Sequence, residues 1–285
     1  ITLGNGSKTV IGGADGDTIT TGASGIHRVI GDNGTIAYDA GALRRMSSDA
    51  PTVAGENTIT LSGDVNQVIG GSAADTIDVT TASSTDHILG DSGEMNYSGA
   101  IGVEQLASVQ SLLGEAGGDD IITLGSGDKV VIAGKGADIV ETTLNSVGSR
   151  IVLGDEGQLN YDTNNLLQSA QSTSIEGGND TITLGGASNS DTNIVIGGVG
   201  SLDKISTGDS IDIVLGDNGA IQWTAGALDT ISSSDTGEGG VDIITLGNGS
   251  KTVIGGADGD TITTGASGIH RVIGDNGTIA YDAGA

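Results

Sequence analysis

The sequence predicts an all-β fold, a parallel β-solenoid of short strands with hairpin excursions and about sixty residues per repeat unit. Residues 1–42 recur without change as residues 244–285, a shift of 243 positions. Inside that interval a Gly-Asp-x-Gly turn recurs, beginning at Gly31, Gly90, Gly154, Gly216 and Gly274. The apolar clusters between turns are three or four residues long, which is typical of strands and too short for helices.

The spacing of these turns divides the chain into units. Successive turns are 59, 64, 62 and 58 residues apart. We therefore predict one continuous solenoid with units at 1–58, 59–121, 122–181 and 182–243, followed by the partial unit 244–285. The inner units differ at most positions whereas the outer copies are identical, which indicates recent duplication of a block or a chain cut from a longer array. We expect neither end to be a natural terminus.

In unit one the apolar clusters predict strands near residues 1–3, 9–11, 18–20, 28–30 and 35–38. The two-residue turn that marks a β-hairpin is missing between them, and sharp corners recur at a fixed period, which favours parallel strands wound in a coil. Counting six strands per unit predicts about three coils, or roughly 14 Å of solenoid per unit.

A longer excursion follows, over residues 39–57, in which Leu43 and Met46 suggest a second strand that folds back as a hairpin arm. Leu228 and Ile231 suggest the same in unit four, whereas the near-helical spacing in residues 103–113 leaves a helix open in unit two. All five aromatic residues lie seven positions after the first Gly of the Gly-Asp-x-Gly turn: Tyr38, Tyr97, Tyr161, Trp223 and Tyr281. We interpret them as clamps across the base of the hairpin; a column of exposed contact rings is the alternative.

The charge of the chain limits its partners. There are 37 acidic and 10 basic residues, a net charge of −27, which argues against nucleic acid and makes cations the natural partner. No apolar run approaches the about 20 residues that span a bilayer, so we expect no membrane insertion. The chain has no Cys and hence no disulfides, which leaves another stabilising element to be found.

Acidic residues concentrate on one side of the predicted coil. Successive corners alternate between two flanks, and the corners at Gly12 and Gly31 share one that is acidic in every unit. The other flank varies and contains Lys8, His27 and Lys129, so we predict a solvated connection there.

Residues 12–20, Gly-Gly-Ala-Asp-Gly-Asp-Thr-Ile-Thr, resemble the nonapeptide Gly-Gly-x-Gly-x-Asp-x-apolar-x of the calcium-binding repeats of RTX (repeats-in-toxin) proteins. Related corners occur at residues 70–77, 133–140, 197–205 and 255–262, and a shortened form at 117–122, 177–182 and 239–244; residues 54–59 are a degenerate version with Asn57. The resemblance implies a β-roll with Ca²⁺ ions between stacked turns, because Ca²⁺ takes six to eight oxygen ligands and glycine lets carbonyls point inward.

Carried onto this sequence, the resemblance implicates three groups of aspartates. The nonapeptide corners supply Asp17, Asp75, Asp138, Asp203 and Asp260; the shortened corners supply Asp120, Asp180 and Asp242; the Gly-Asp-x-Gly turns supply Asp32, Asp91, Asp155, Asp217 and Asp275 as neighbouring halves of sites. The alternative is that Gly and Asp are simply the residues that tight turns prefer. Stacked acids repel one another unless a cation lies between them, which favours calcium.

No constellation of residues indicates catalysis. His27, His87 and His270 are isolated in corners, and neither zinc-type pairing nor a Gly-x-Ser-x-Gly nucleophile motif occurs. An active site should break the repeat, whereas every pair of carboxylates here belongs to it. We therefore expect a protein that is not an enzyme.

The resemblance implies a calcium-stabilised shaft or filament segment of a very large bacterial surface or matrix protein, with adjoining copies of the repeat as partners. It also implies secretion to the cell exterior or surface, by the type I route of a Gram-negative bacterium. Two alternatives stay open: an adhesin segment that binds glycan, ice or neighbouring chains, and an RTX secretion module attached to an enzyme.

Overall fold

The computed structural model of the chain describes residues 1–49, 55–80, 83–114, 116–143, 145–234 and 239–282, without the side chains of 187–189. All regular structure in these residues is β, which confirms the predicted class. The alternative of a helix within residues 103–113 is wrong, because Gln105–Ser111 is a strand. No helix in the described part of the chain is long and apolar enough to cross a membrane.

The strands fall into two sheets. In chain order they are β1 (Lys8–Ile11), β2 (Thr18–Ala23), β3 (Ile26–Ile30), β4 (Gly34–Asp39), β5 (Ala42–Ser48), β6 (Thr58–Ser62), β7 (Val65–Ile69), β8 (Thr76–Val79), β9 (Thr85–Leu89), β10 (Gly93–Ser98), β11 (Gln105–Ser111), β12 (Ile121–Leu124), β13 (Lys129–Ile132), β14 (Ile139–Thr142), β15 (Arg150–Leu153), β16 (Gly157–Tyr161), β17 (Leu167–Ser172), β18 (Thr181–Gly198), β19 (Lys204–Asp217), β20 (Gly219–Thr224), β21 (Ala227–Ser233), β22 (Ile243–Leu246), β23 (Lys251–Ile254), β24 (Thr261–Thr263), β25 (His270–Ile273) and β26 (Thr278–Ala280). A nine-stranded sheet contains β4, β5, β10, β11, β16, β17, β20, β21 and β26; the other 17 strands form the solenoid.

The solenoid consists of two columns of parallel strands. Strands two apart in the chain pair in register, as β6 does with β8 and β7 with β9. The first column thus runs through β2, β6, β8, β12, β14, β22 and β24, and the second through β1, β3, β7, β9, β13, β15, β23 and β25; β18 and β19 each belong to both columns. Alternate side chains of the two columns, such as Ile59 and Val68, meet in a core whose members are mostly Ile, Val and Leu. These β-branched residues suit the narrow interior.

Each of the four complete sequence units contributes two coils and one hairpin, so the prediction of three coils is wrong. In unit two, β6 to β9 form two coils, and β10 and β11 form the hairpin. The predicted strand at 35–38 lies in β4, which pairs with β5 in a hairpin and not with the solenoid. At about 4.8 Å per coil the rise is about 10 Å per unit in place of 14 Å.

The hairpins join one another along the solenoid. Strand β5 pairs with β10, β11 with β16, β17 with β20 and β21 with β26, all antiparallel. Two hairpin strands per unit advance along the solenoid axis by the same distance as two coils, so the two sheets stay aligned from unit to unit. The hairpin sheet packs on the outer face of the second column, where Ile30 and Leu89 meet Met46 and Val109.

The hairpin tips of units one and four use a two-residue turn that the sequence concealed. In unit one the turn is Ala40-Gly41, with φ of 49° and 85°, and in unit four Ala225-Gly226, with φ of 52° and 80°. Positive φ at both positions is the type I′ geometry, in which Asn or Asp usually precedes Gly. Ala in that place hid the signal.

A β-bulge accompanies each complete hairpin at its aromatic residue. The register shifts immediately before Tyr38, Tyr97, Tyr161 and Trp223, and each of these residues pairs with a leucine. The bulge explains the near-helical spacing of Leu106 and Val109, because Ala107 is the extra residue between them. Exposure of the rings ranges from 5% for Tyr97 to 45% for Tyr38, so the clamp interpretation stays a prediction.

Candidate cation site: an aspartate row on one flank

The corners that lead from the second column back to the first lie on one flank, which we call the acidic flank. Nine residues there stack in successive coils, and we call them the aspartate row: Asp17, Asn57, Asp75, Asp120, Asp138, Asp180, Asp203, Asp242 and Asp260. Each is followed directly by a first-column strand, so the parallel register of the strands brings their side chains into line.

A repeated hydrogen bond joins neighbours in the row. The backbone N–H of Asp75 donates to Asp120 Oδ1 at 2.7 Å, and the N–H of Asp120 donates to Asp138 Oδ1 at 2.7 Å. The same bond continues through the other members at 2.7–2.9 Å. These carboxylates therefore bond the backbone of a neighbouring coil, and not their own turn as an Asx-turn would.

The second carboxylate oxygen has no partner. Oδ2 is buried without a hydrogen bond in seven members of the row: Asp75, Asp120, Asp138, Asp180, Asp203, Asp242 and Asp260. A buried polar atom without a partner is costly, and one that recurs in successive coils points to a missing proton or ligand.

Asn57, the one asparagine of the aspartate row, makes a hydrogen bond that the aspartates of the row do not make. Its Oδ1 accepts from the N–H of Asp17 at 2.9 Å, as in the other members, but its Nδ2 donates to the Gly70 carbonyl at 3.3 Å. In the aspartates an oxygen replaces that nitrogen. A Cβ built on Gly216, for example, would lie 2.3 Å from both Asp242 Oδ2 and the Gly255 carbonyl oxygen. Two oxygens thus line one small space, and either a proton or a cation between them would offset their mutual repulsion.

Burial raises the pKa of the row carboxyls. It raises the pKa of Asp75, Asp138 and Asp242 to about 8 and that of Asp203 to about 7. The pKa of Asp120 and Asp180 is also raised, mainly by burial and further by the charges of neighbouring aspartates, and that of Asp260 is raised by burial. Near neutral pH burial alone favours protonated carboxyls in the row, and a bound cation would favour the charged form.

The Gly-Asp-x-Gly aspartates form a second line beside the row, and their oxygens mostly have partners. Asp91 Oδ2 accepts from the N–H of Lys135 at 2.6 Å, and Oδ1 accepts from Gly118 at 3.2 Å. Asp155 and Asp217 each accept from two backbone N–H groups in the same way, one in their own unit (Gly178 or Gly240) and one in the following unit (Val199 or Ala257). Asp32 accepts from Ser72 at 2.9 Å. These aspartates tie units together, which makes them weaker candidate ligands than the row.

The ends of the chain complete the account of the predicted residues. Asp17 is half-buried in the first coils, and Asp275 is exposed in the last. Ala54, the first residue of the degenerate motif, lies outside the described residues.

Among the described residues no three Asp, Glu, His or Cys side chains converge as a metal cluster. The donor set is instead one carboxylate oxygen and a backbone carbonyl per coil, all hard oxygens, which fits Ca²⁺ in kind.

The opposite flank is not simply the solvated connection that the sequence predicted, because several of its charged side chains enter the solenoid. Lys129 is 1% exposed, and His27 is fully buried. Lys129 Nζ lies 2.9 Å from Asp86 Oδ2, and Asn66 Nδ2 donates to Asp86 Oδ1 at 2.7 Å. The same arrangement recurs at Asn193, Asp212 and Lys251, where Nζ lies 2.5 Å from the carboxylate. Only the stacking of neighbouring units reveals these two clusters.

Comparison with known proteins identifies no family: no protein-family model, no curated protein and no solved structure matches the chain. The likeness to RTX repeats therefore depends on the corner motifs alone.

Proposed function

We propose that this chain is a calcium-stabilised β-roll-like shaft, a structural segment of a very large secreted bacterial surface or matrix protein of RTX type. The observation that carries the proposal is the run of buried, unpartnered Oδ2 atoms in the aspartate row. The row passes through every unit of the solenoid, so bound cations would stabilise the whole rod and not one local site.

Calcium is the cation that the donors favour. Carboxylate and carbonyl oxygens are hard ligands, and stacking in successive coils lets neighbouring turns share an ion. Extracellular calcium modules bind at about 0.1 to 1 mM, so a chain of this kind would fold after export from a calcium-poor cytosol. Asp75, Asp120, Asp138 and Asp180 would each supply Oδ2 while Oδ1 keeps its backbone hydrogen bond.

The test replaces one member of the row by the residue that the chain itself uses there. In Asp138→Asn, Oδ1 can still accept the N–H of Asp120, and the amide nitrogen can donate where Oδ2 had no partner, as in Asn57. If the row binds calcium, Asp138→Asn lowers the calcium stoichiometry measured by calorimetry and reduces the calcium-induced rise in melting temperature.

Asp128→Asn is the matched control. Asp128 also accepts a backbone N–H of a neighbouring coil, from Ser149 at 2.9 Å, but it is exposed on the opposite flank. The substitution Asp128→Asn removes the same charge from the chain as Asp138→Asn does, but it leaves the aspartate row unchanged. Equal calcium stoichiometry in both variants and the parent, or no calcium binding by the parent, would mean that the row is a protonated hydrogen-bond ladder and would overturn the proposal.

A further inference from the structure

A groove runs between the solenoid and the hairpin sheet, and the repeat is broken there. One wall is formed by one residue from each second-column strand, all in continuous register: Thr9, Arg28, Gln67, His87, Val130, Ile151, Ile194, Ile213, Thr252 and Arg271. The hairpin aromatics form the other wall. The first wall changes from polar to aliphatic only at Val130, Ile151, Ile194 and Ile213, in units three and four.

Where that wall is polar, its side chains fill the groove. The Arg28 guanidinium lies 5.7 Å from the ring centroid of Tyr38, and Arg271 lies 5.9 Å from that of Tyr281. In unit two the rings of His87 and Tyr97 are 5.8 Å apart, and His87 Nδ1 lies 3.1 Å from the tyrosine hydroxyl. Each aromatic of these units thus has a partner from the solenoid.

Where the wall is aliphatic, the groove is open. A cavity of about 340 Å³ lies beside Val130, Ile151 and Tyr161, and a second of about 260 Å³ lies beside Ile151, Ile194 and Trp223. The two cavities share Ser149 and Ile151, so they form one groove with two lobes. One ring, Tyr161 or Trp223, faces each lobe, and one unit, about 10 Å of rise, separates the rings.

The rim of the groove is polar and acidic. Glu104, Gln105, Asn165 and Asp128 border the first lobe. Lys129 contributes no charge to this rim, because its ammonium is buried in the ion pair with Asp86. His87 is neutral, since burial lowers its pKa to about 4. In a chain of net charge −27, such a groove repels anions.

We propose that this two-lobed groove of units three and four is a binding site for a neutral oligosaccharide chain. A sugar ring presents an apolar C–H face that packs on Tyr161 or Trp223, and its hydroxyls can bond the amides and carboxylates of the rim. An extended chain of linked sugars can reach both rings. This site is separate from the acidic flank and does not depend on the cation that the row would bind.

Trp223 is the only tryptophan of the chain, and it reports on the groove directly. The experiment titrates the full chain, in calcium, with hexasaccharides of β-linked glucose, N-acetylglucosamine and mannose, and with alginate hexasaccharide as the anionic comparison. We expect at least one neutral sugar to shift the Trp223 emission saturably and alginate to cause no shift. No shift with any of the neutral sugars, or an equal response to alginate, would overturn the proposal.

Ile151→Arg closes the groove with a residue that the fold accepts at the same position. Ile151 precedes Tyr161 by ten residues, as Arg28 precedes Tyr38 and Arg271 precedes Tyr281. We expect this variant, with unchanged circular dichroism, to bind the sugar at least about tenfold more weakly, a change that corresponds to about 1.4 kcal/mol. Tyr38→Ala, which removes a ring that borders neither lobe, should bind as the parent does. Undiminished binding by folded Ile151→Arg would place the sugar elsewhere and refute the site.

Discussion

The buried ion pair between Asp86 and Lys129 gives the most direct test of how the units hold together. Both side chains have no solvent exposure. Lys129 Nζ also donates to the carbonyls of Ser84 and Ser126, each at 2.6 Å. Strand β9, the last solenoid strand of unit two, and strand β13, the first second-column strand of unit three, thus share one charge cluster inside the solenoid.

Lys129→Met removes the cation and keeps most of the volume. Asp86 then retains hydrogen bonds from Asn66 and Ser84 but has no opposite charge in a buried place. Removing one partner of a buried pair costs about 3 to 5 kcal/mol, because the remaining charge is uncompensated. We expect a loss of that size in the free energy of unfolding, measured by urea denaturation in calcium with the slope of the transition unchanged.

Two further variants separate charge from packing. Lys204→Met removes an exposed lysine that also begins a solenoid strand, and we expect a change within about 0.5 kcal/mol. The double variant Asp86→Asn with Lys129→Met leaves no buried charge, so it should be more stable than Lys129→Met alone. A loss from Lys129→Met no larger than that from Lys204→Met would refute the assignment of the pair as a junction between units.

Two other predictions concern the acidic flank. Without calcium, the melting temperature should fall as pH rises from about 4 to about 9. The carboxyls of the row and of the second line have folded pKa values of about 6 to 9, above their unfolded value of 3.8. The native state therefore binds more protons than the unfolded state over that range, and its stability falls as those protons are lost. Calcium should restore stability near pH 8 and do little near pH 4; identical profiles with and without calcium would contradict a role for the ion. Gly256→Ala should cost about 1 to 3 kcal/mol in thermal or urea unfolding, because φ is +128° and the new Cβ would lie 2.2 Å from Asp217 Oδ2. Gly259→Ala, in the same corner with open space around it, should be nearly neutral, and equal losses from the two would exclude the contact with Asp217 as the cause.

The sequence predicted the parts of the fold that short-range patterns determine. Turn residues and short apolar clusters predicted strands, a repeated corner predicted a coil, and the excursion after Tyr38 predicted a hairpin. The number of coils could not be obtained this way. Strand β4 has the same local pattern as strands of the solenoid, and only its antiparallel partner β5 assigns it to the other sheet.

The candidate site was predictable on one flank and hidden on the other. Gly and Asp at fixed places in each corner predicted the acidic line, although Asn57 was recognised only as a degenerate position. Lys129 sits beside Asp128 in a polar corner, where sequence alone indicates an exposed side chain. Its partner Asp86 lies 43 residues away in another unit, so the pairing follows from stacking and not from spacing.

The interior charges alternate from unit to unit, and this alternation bears on the 243-residue spacing between the two identical segments. The residues one position before the groove wall are also in register along the second column. There Lys units (one, three and five) alternate with Asn-Asp units (two and four): Lys8 and His27, Asn66 and Asp86, Lys129 and Arg150, Asn193 and Asp212, Lys251 and His270. Each Asp faces the Lys of the next unit, including Lys251 in the repeated copy. A block with an odd number of units would set two Lys units or two Asn-Asp units together and bury like charges without a partner, which costs several kcal/mol. Four units per 243 residues keep the alternation across the junction. Unit order in the array is therefore restricted by buried electrostatics as well as by the shape of the coil.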